Sequence, residues 1–179
     1  MSKLERKTRE TTIVADVRVG TGASDVSIDD RFLEHMVETL ARYAALEIEI
    51  RATGDLRHHL VEDVAIVLGQ ALEEELPEGI ARFGSALIPM DEALAQAAID
   101  VGGRPYYVGK LPSKLYTHFL HSFATNLGAT LHVKVLRGSD RHHMIEAAVK
   151  ATGVALRQAL AERDEVFSTK GAVRQERLD

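Results

Sequence analysis

Eight histidines stand at positions 35, 58, 59, 118, 121, 132, 142 and 143, and four of them belong to a pattern that occurs twice, His58-His59-Leu60-Val61-Glu62 and His142-His143-Met144-Ile145-Glu146. On a helix, side chains three or four residues apart share a face, so Glu62 can share a metal ion with His58 or His59, and Glu146 with His142 or His143. Adjacent histidines project about 100° apart on a 3.6-residue turn, which makes one ion between them awkward and two ions natural. The expected arrangement is two metal sites, built from both halves of the chain or from neighbouring subunits. Nitrogen and carboxylate ligands without sulfur suit Mn, Fe, Co, Ni or Zn, and six-coordinate sites with room for substrate lean toward Mn. A single His-His pair is more often a cap or a surface feature; two copies at matched positions favour the metal. His118 and His121 lie three apart, a spacing that can bind metal, although exposed helix histidines are the commoner outcome.

Other residues could act on an acidic or phosphorylated ligand. Glu10 sits in the charged stretch Lys3 to Glu10, which also reads as a solvated strand edge. Arg82 and Arg104 each neighbour glycines, and Ser168-Thr169-Lys170-Gly171 offers backbone amides and a lysine to a phosphate. Composition narrows the classes. With 22 basic and 27 acidic residues and no basic run, nothing suggests nucleic-acid binding, and the absence of cysteine excludes disulfides, thiolate metal sites and cysteine nucleophiles. The N-terminal residues lack an apolar signal core and no stretch approaches about 18 apolar residues, so a soluble cytoplasmic protein without membrane contact is expected.

The elements that position these residues come in two copies. Asp55 to Glu62 aligns with Ser139 to Glu146, Leu46 to Ile50 with Leu131 to Val135, and Phe32-Leu33 with Phe119-Leu120. Helical spacing of apolar residues predicts helices over 32–45 and 116–128, the first with Phe32, Leu33, Met36, Val37, Leu40 and Ala44 along one stripe. Strands are expected over 46–51 and 131–136, and helices over 60–75 and 144–162, with each His-His-x-x-Glu cluster at or just inside a helix N-terminus. Thr11 to Arg18 and Ser24 to Ile28 alternate about Gly20-Thr21-Gly22, a hairpin signal; Ala86 to Pro89 and Gln96 to Val101 look like its equivalent, with Met90 to Leu94 open to a short helix. Each half is therefore read as β-β-α-β-α, divided as residues 1–85 and 86–179, in an α+β sandwich of two four-strand-like layers with helices on one face. At 179 residues and 45% apolar, the chain can bury one sizeable core.

An ordered set of motifs completes the reading: Arg9-Glu10-Thr11, Phe32-Leu33-Glu34-His35-Met36, Gly54-Asp55-Leu56, the two histidine clusters, Gly79 to Gly84, Pro89 to Ala93, Gly103-Arg104-Pro105-Tyr106, Thr130-Leu131-His132 and Ser168 to Gly171. In this order they resemble the imidazoleglycerol-phosphate dehydratase family from about residue 6 to 172. The resemblance implies a duplicated unit like domain 2 of ribosomal protein S5, assembled into a homo-oligomeric shell of 24 subunits with active sites between them. It implies that His35, His58, His59, Glu62, His132, His142, His143 and Glu146 hold two manganese ions per subunit. The substrate would be a phosphorylated imidazole, dehydrated in histidine biosynthesis to imidazole-acetol phosphate while two metals hold its ring as imidazolate. Glu10 would be the acid/base, with His35, His59 and His143 beside it in the catalytic set. Arg82, Arg104, Ser168 and Lys170 would hold phosphate or glycerol, with Glu10, His35 and Tyr43 also facing the substrate. Members of the family usually carry Asp-Asp directly before the first His-His after a longer loop, whereas Gly54-Asp55-Leu56-Arg57 here runs straight into His58, and Tyr43-Ala44 replaces a common His-Gly. Those departures leave two other readings open, a diverged metal-dependent lyase acting on another azole or phosphate ester, and a non-catalytic metal-binding assembly protein.

Overall fold

Alternation decides the strands. In β4 (Leu46–Gly54) the even positions Leu46, Ile48, Ile50 and Ala52 are buried while Glu47, Glu49 and Arg51 face outward, as a sheet with one covered face requires. The computed structural model describes residues 3–77 and 79–163. The first half runs β1 (Leu4–Lys7), β2 (Thr11–Val19), β3 (Ser24–Ile28), α1 (Arg31–Ala44), β4 and α2 (Arg57–Glu74). The second repeats it as β5 (Phe83–Met90), β6 (Ala93–Asp100), β7 (Tyr106–Gly109), α3 (Lys114–Asn126), β8 (Thr130–Arg137) and α4 (Arg141–Ala159). The duplicated α+β unit is thus present with one strand more per half than the repeat had marked. The boundary at 85/86 falls inside β5, because Phe83 already pairs with Asp100.

Strand order is β1-β2-β4-β3 in one sheet and β5-β6-β8-β7 in the other. β2 and β3 therefore do not form the expected hairpin. A Gly-Thr-Gly link allows a reversal without choosing the partner, and the nine-residue β4 takes β2 antiparallel on one side, from Thr11↔Gly54 to Val19↔Leu46, and β3 parallel on the other. The link spans the end of β4, where the Gly20 amide donates to the Ala45 carbonyl. The true hairpins are β1–β2 and β5–β6, and Met90 to Leu94 holds a tight turn at Asp91-Glu92 rather than a helix, with Asp91 at φ 47°.

Each helix pair lies on one face of its own sheet, and the pairs pack on each other through α1 against α4 and α2 against α3. The α1 stripe buries Leu33, Met36, Val37, Leu40, Ala41 and Ala44, the helical spacing read from sequence, with Asp30 capping the Leu33 amide. Phe119 and Phe123 of α3 fill the equivalent position in the second half. Because the halves are related by an internal repeat, the first turns of α2 and α4, which carry the His-His pairs, meet the flanks of α3 and α1. The site is assembled there.

Candidate metal and catalytic site

Both His-His-x-x-Glu clusters lie in the first turns of α2 and α4, directly after Arg57 and Arg141. The helix selects the i, i+4 pair in each: His142 Nε2 lies 3.1 Å from Glu146 Oε2, and His58 Nε2 lies 3.6 Å from Glu62 Oε2. Helix α1 brings His35 Nε2 to within 3.5 Å of the same Glu146 oxygen, and the His35 and His142 rings stack at 5.8 Å. One ligand atom from each of His35, His142 and Glu146 falls within 4.8 Å of the others. Two imidazole nitrogens and a nearly buried carboxylate at that spacing are a donor set for a divalent transition metal, so the residues fit the ion that their pattern implied. Burial alone would raise the Glu146 pKa, but Lys150, with Nζ 2.8 Å from Glu146 Oε1, and then His35 pull it below the usual carboxylate value, so the group stays ionised.

The second cluster mirrors the first with a residue that the sequence reading left aside. His118 of α3 places Nε2 3.3 Å from Glu62 Oε1 and stacks on His58 at 5.9 Å, as His35 does on His142. The signal was available. Aligning α1 and α3 at their capping residues Asp30 and Ser113 pairs His35 with His118, whereas pairing Phe32-Leu33 with Phe119-Leu120 slips the helices by one turn. A one-turn slip keeps the apolar face and hides the polar match.

His132 goes elsewhere. In β8 its neighbours Leu131 and Val133 are buried against the helices, so strand alternation turns His132 outward, beside Lys110 and Lys134 on the far face of the second sheet. The structure does not bring it to either cluster. His121 packs against Tyr107, with ring centroids 5.6 Å apart.

His59 and His143 project away from their helix partners, with ring planes at 71° and 85° to His58 and His142. Each is anchored at Nδ1. Asp55 Oδ1 holds His59 at 2.9 Å and Glu92 Oε2 holds His143 at 2.8 Å, and these hydrogen bonds raise both imidazole pKa values. A carboxylate on one ring nitrogen fixes the tautomer and leaves Nε2 as the more basic donor. Asp55, four residues before His59, thus supplies an orienting carboxylate although no Asp-Asp stands directly before the pair.

Glu10 and Glu92 occupy matching turns, each directly before the second strand of its half. Their surroundings differ. Glu92 accepts from the amides of Asp140 and Ser139 and contacts His143; the Asp140 amide is the strongest influence, followed by His143, and together they hold its pKa at about 2. Glu10 Oε2 makes a looser 3.6 Å approach to His59 Nδ1, with its backbone carbonyl held by the Asp55 amide. Because the folded Glu92 pKa is depressed below the ordinary 4.5, its stabilising contribution is complete above about pH 4.5 and disappears as pH falls toward 2. Glu92→Gln is therefore expected to unfold in less urea than the parent at pH 6 and to match it near pH 2; equal midpoints at both would refute the pinned carboxylate.

The remaining sequence candidates lie apart from the clusters. Arg82 pairs with Asp100 at 2.6 and 3.1 Å, and its amide donates to the carbonyl of Ala159, the last residue of α4. His142 is the second residue of that helix, so at 1.5 Å per residue they are separated by roughly 25 Å. Arg104 lies at the same end as Arg82, its carbonyl accepting from Thr130, the residue paired with Asp100. Tyr43 lies about two turns along α1 from His35 and reaches the first cluster through Lys150, whose Nζ sits 5.4 Å from its ring centre. Ser168 and Lys170 fall outside the described residues.

Residues 29–156 match the model of the family described as imidazoleglycerol-phosphate dehydratase. Among curated proteins, the chain is 45% identical over 190 residues to an imidazoleglycerol-phosphate dehydratase of Methanosarcina mazei, covering 97% of this chain and 99% of the relative. It is 42% identical over 193 residues to one of Clostridium botulinum, covering 97% and 98%. Among solved structures, the crystal structure of IGPD from Pyrococcus furiosus in complex with (S)-C348 aligns at TM-score 0.85 and 40% identity over 95% of this chain and all of that one. Imidazoleglycerol-phosphate dehydratase from Staphylococcus aureus aligns at 0.79 and 29% over 91% and 100%.

Proposed function

The chain belongs to the imidazoleglycerol-phosphate dehydratase family, hydro-lyases of histidine biosynthesis, and from that membership we propose that it removes water from imidazoleglycerol phosphate at a metal site completed between copies of the chain. The observation that carries this reading is the convergence of His35, His142 and Glu146 on one point, with a looser counterpart in which His58 and His118 approach the two different oxygens of Glu62. Each trio would hold one of two manganese ions per subunit, with His118 in the place first given to His132. When bound, such ions act as Lewis acids on the imidazole ring and fix its position.

The protein's own groups do the rest. His59 and His143 pair through Nδ1 with Asp55 and Glu92 rather than with Glu62 and Glu146, and in this reading they would complete a neighbour's cluster through Nε2. Arg82, roughly 25 Å along α4 from the same chain's His142, and Arg104 at the same end would grip phosphate in a neighbour's site, with Ser168 and Lys170 joining them. This division requires a homo-oligomer, for which the family's 24-subunit shell is the expected form. Dehydration removes the hydroxyl from the carbon beside the ring and a proton from the next carbon, and the resulting enol regains a proton at the ring-side carbon to give imidazole-acetol phosphate. Glu10 is the carboxylate proposed to take and return that proton. A role in amino-acid biosynthesis would put the reaction in the cytoplasm; among the described residues, no helix is long and apolar enough to cross a membrane.

The test is direct. Chelator-stripped protein incubated with imidazoleglycerol phosphate should be inert, and added Mn²⁺ should restore product with about two ions per chain by elemental analysis. Two bound ions without turnover would move the search to another azole; turnover by metal-free protein would end the metal reading.

A further inference from the structure

Asp63, directly after Glu62 in α2, is a buried acidic residue that the proposed reaction leaves unused. Its two oxygens reach the two strands of the β1–β2 hairpin. Oδ1 accepts from Arg6 Nε of β1 at 3.0 Å, and Oδ2 accepts from the hydroxyl of Thr11 at the start of β2. Between those strands lies the turn that carries Glu10.

The hydrogen bonds continue into that turn in a single direction. Because the Thr11 hydroxyl gives its one proton to Asp63, the Thr8 hydroxyl, 3.1 Å away, donates to Thr11 Oγ1. The lone pairs of Thr8 Oγ1 then accept from the amides of Glu10 and Thr11, both at 3.0 Å. On the other side of the residue, the Glu10 carbonyl accepts from the Asp55 amide. Both backbone polar groups of Glu10 are thus held, while its side chain takes no part in the network.

The second half shows that the fold does not require these polar groups. At the positions matching Arg6, Thr8, Thr11 and Asp63 it carries Ile88, Met90, Ala93 and Ala147, in the same strand register, with Arg6 opposite Ile13 and Ile88 opposite Ala95. All four belong to the apolar core or pack against it. Burying a carboxyl group and hydroxyls is costly unless each finds a partner, so apolar side chains are the simpler way to seat a hairpin on a helix. In that half Glu92 is fixed through its own carboxylate. Glu10 is fixed through its backbone instead.

We propose that Asp63 is a positioning residue for Glu10: through Arg6, Thr11 and Thr8 it clamps the β1–β2 turn and sets where the Glu10 carboxylate stands, without engaging its oxygens. The proposal rests on the reading of Glu10 as the acid/base. Proton transfer requires the carboxylate within hydrogen-bond reach of the proton it takes, and a displacement of about 1 Å can cost on the order of 10²-fold in rate.

The test uses the assembled, metal-loaded enzyme. Thr11→Val removes the hydroxyl and keeps the side-chain shape, Thr11→Ser keeps the hydroxyl, and Thr11→Ala with Asp63→Ala copies the packing of the second half and should therefore fold. Thr11→Val and the double variant should lower kcat by about tenfold to 10²-fold, with KM and metal per chain close to parental. Thr11→Ser should recover most of the turnover lost in Thr11→Val. Hydrogen exchange over residues 8–11, read by mass spectrometry without turnover, should quicken in Thr11→Val and in the double variant. In a Glu10→Gln background the same substitutions should slow the enzyme no further, since no carboxylate is left to place. Equal losses of kcat in both backgrounds, loss of bound metal, unchanged exchange, or parental turnover in both variants would each overturn the proposal and leave the role of Glu10 standing. Parental turnover in Glu10→Gln alone would remove the acid/base reading, and the proposal with it.

Discussion

Glu146→Gln should lower turnover about 10³-fold or more, equivalent to roughly 4 kcal/mol of barrier, and should lose metal with it. The carboxylate is nearly buried, with one oxygen held by Lys150 and the other shared by His142 and His35. An amide keeps the shape but removes the negative charge that balances a divalent ion, and it leaves the Lys150 ammonium without its partner in a mostly enclosed position. Bound metal per chain and turnover should fall together, with activity recovered in part at high Mn²⁺. A variant that keeps full metal content and parental turnover would remove Glu146 from the site.

Glu10→Gln should behave differently: turnover falls about 10²- to 10⁴-fold, the usual range for a lost general acid/base, while metal content is unchanged. His59 keeps its stronger tether to Asp55, so its orientation does not depend on Glu10. The contrast with Glu92 supports the assignment. Glu92, fixed by two amides and a histidine, is committed to orienting His143; among the described residues Glu10 has no such set of donors. Parental turnover in Glu10→Gln would mean that another group moves the proton, even with the family assignment intact.

Much of this site is local, and local features are legible in sequence. The His-His-x-x-Glu spacing already implied helix N-termini with Glu62 and Glu146 one turn on, and the repeat implied two related halves. What was not legible depends on pairing between distant segments. Nothing in Gly20-Thr21-Gly22 says that β4 will insert between β2 and β3. His132 looked equivalent to the other histidines until strand alternation turned it to the outer face, and His118 was concealed by a one-turn ambiguity in aligning α1 with α3. Asp55 and Glu92 reach their histidines from turns, where the register of the neighbouring strands sets the position of each carboxylate.

The unequal fates of Glu10 and Glu92 show what covalent duplication permits. Two identical half-length chains related by a true twofold axis would have to carry the same residue, in the same surroundings, in both turns. Joining the halves in one polypeptide lifted that constraint and let matched positions diverge. One became a fixed strut, and the other remained loosely held. The fold is nearly symmetric, but its chemistry need not be, and a dehydration that needs rigid positioning in one place and proton traffic in another is served by that asymmetry.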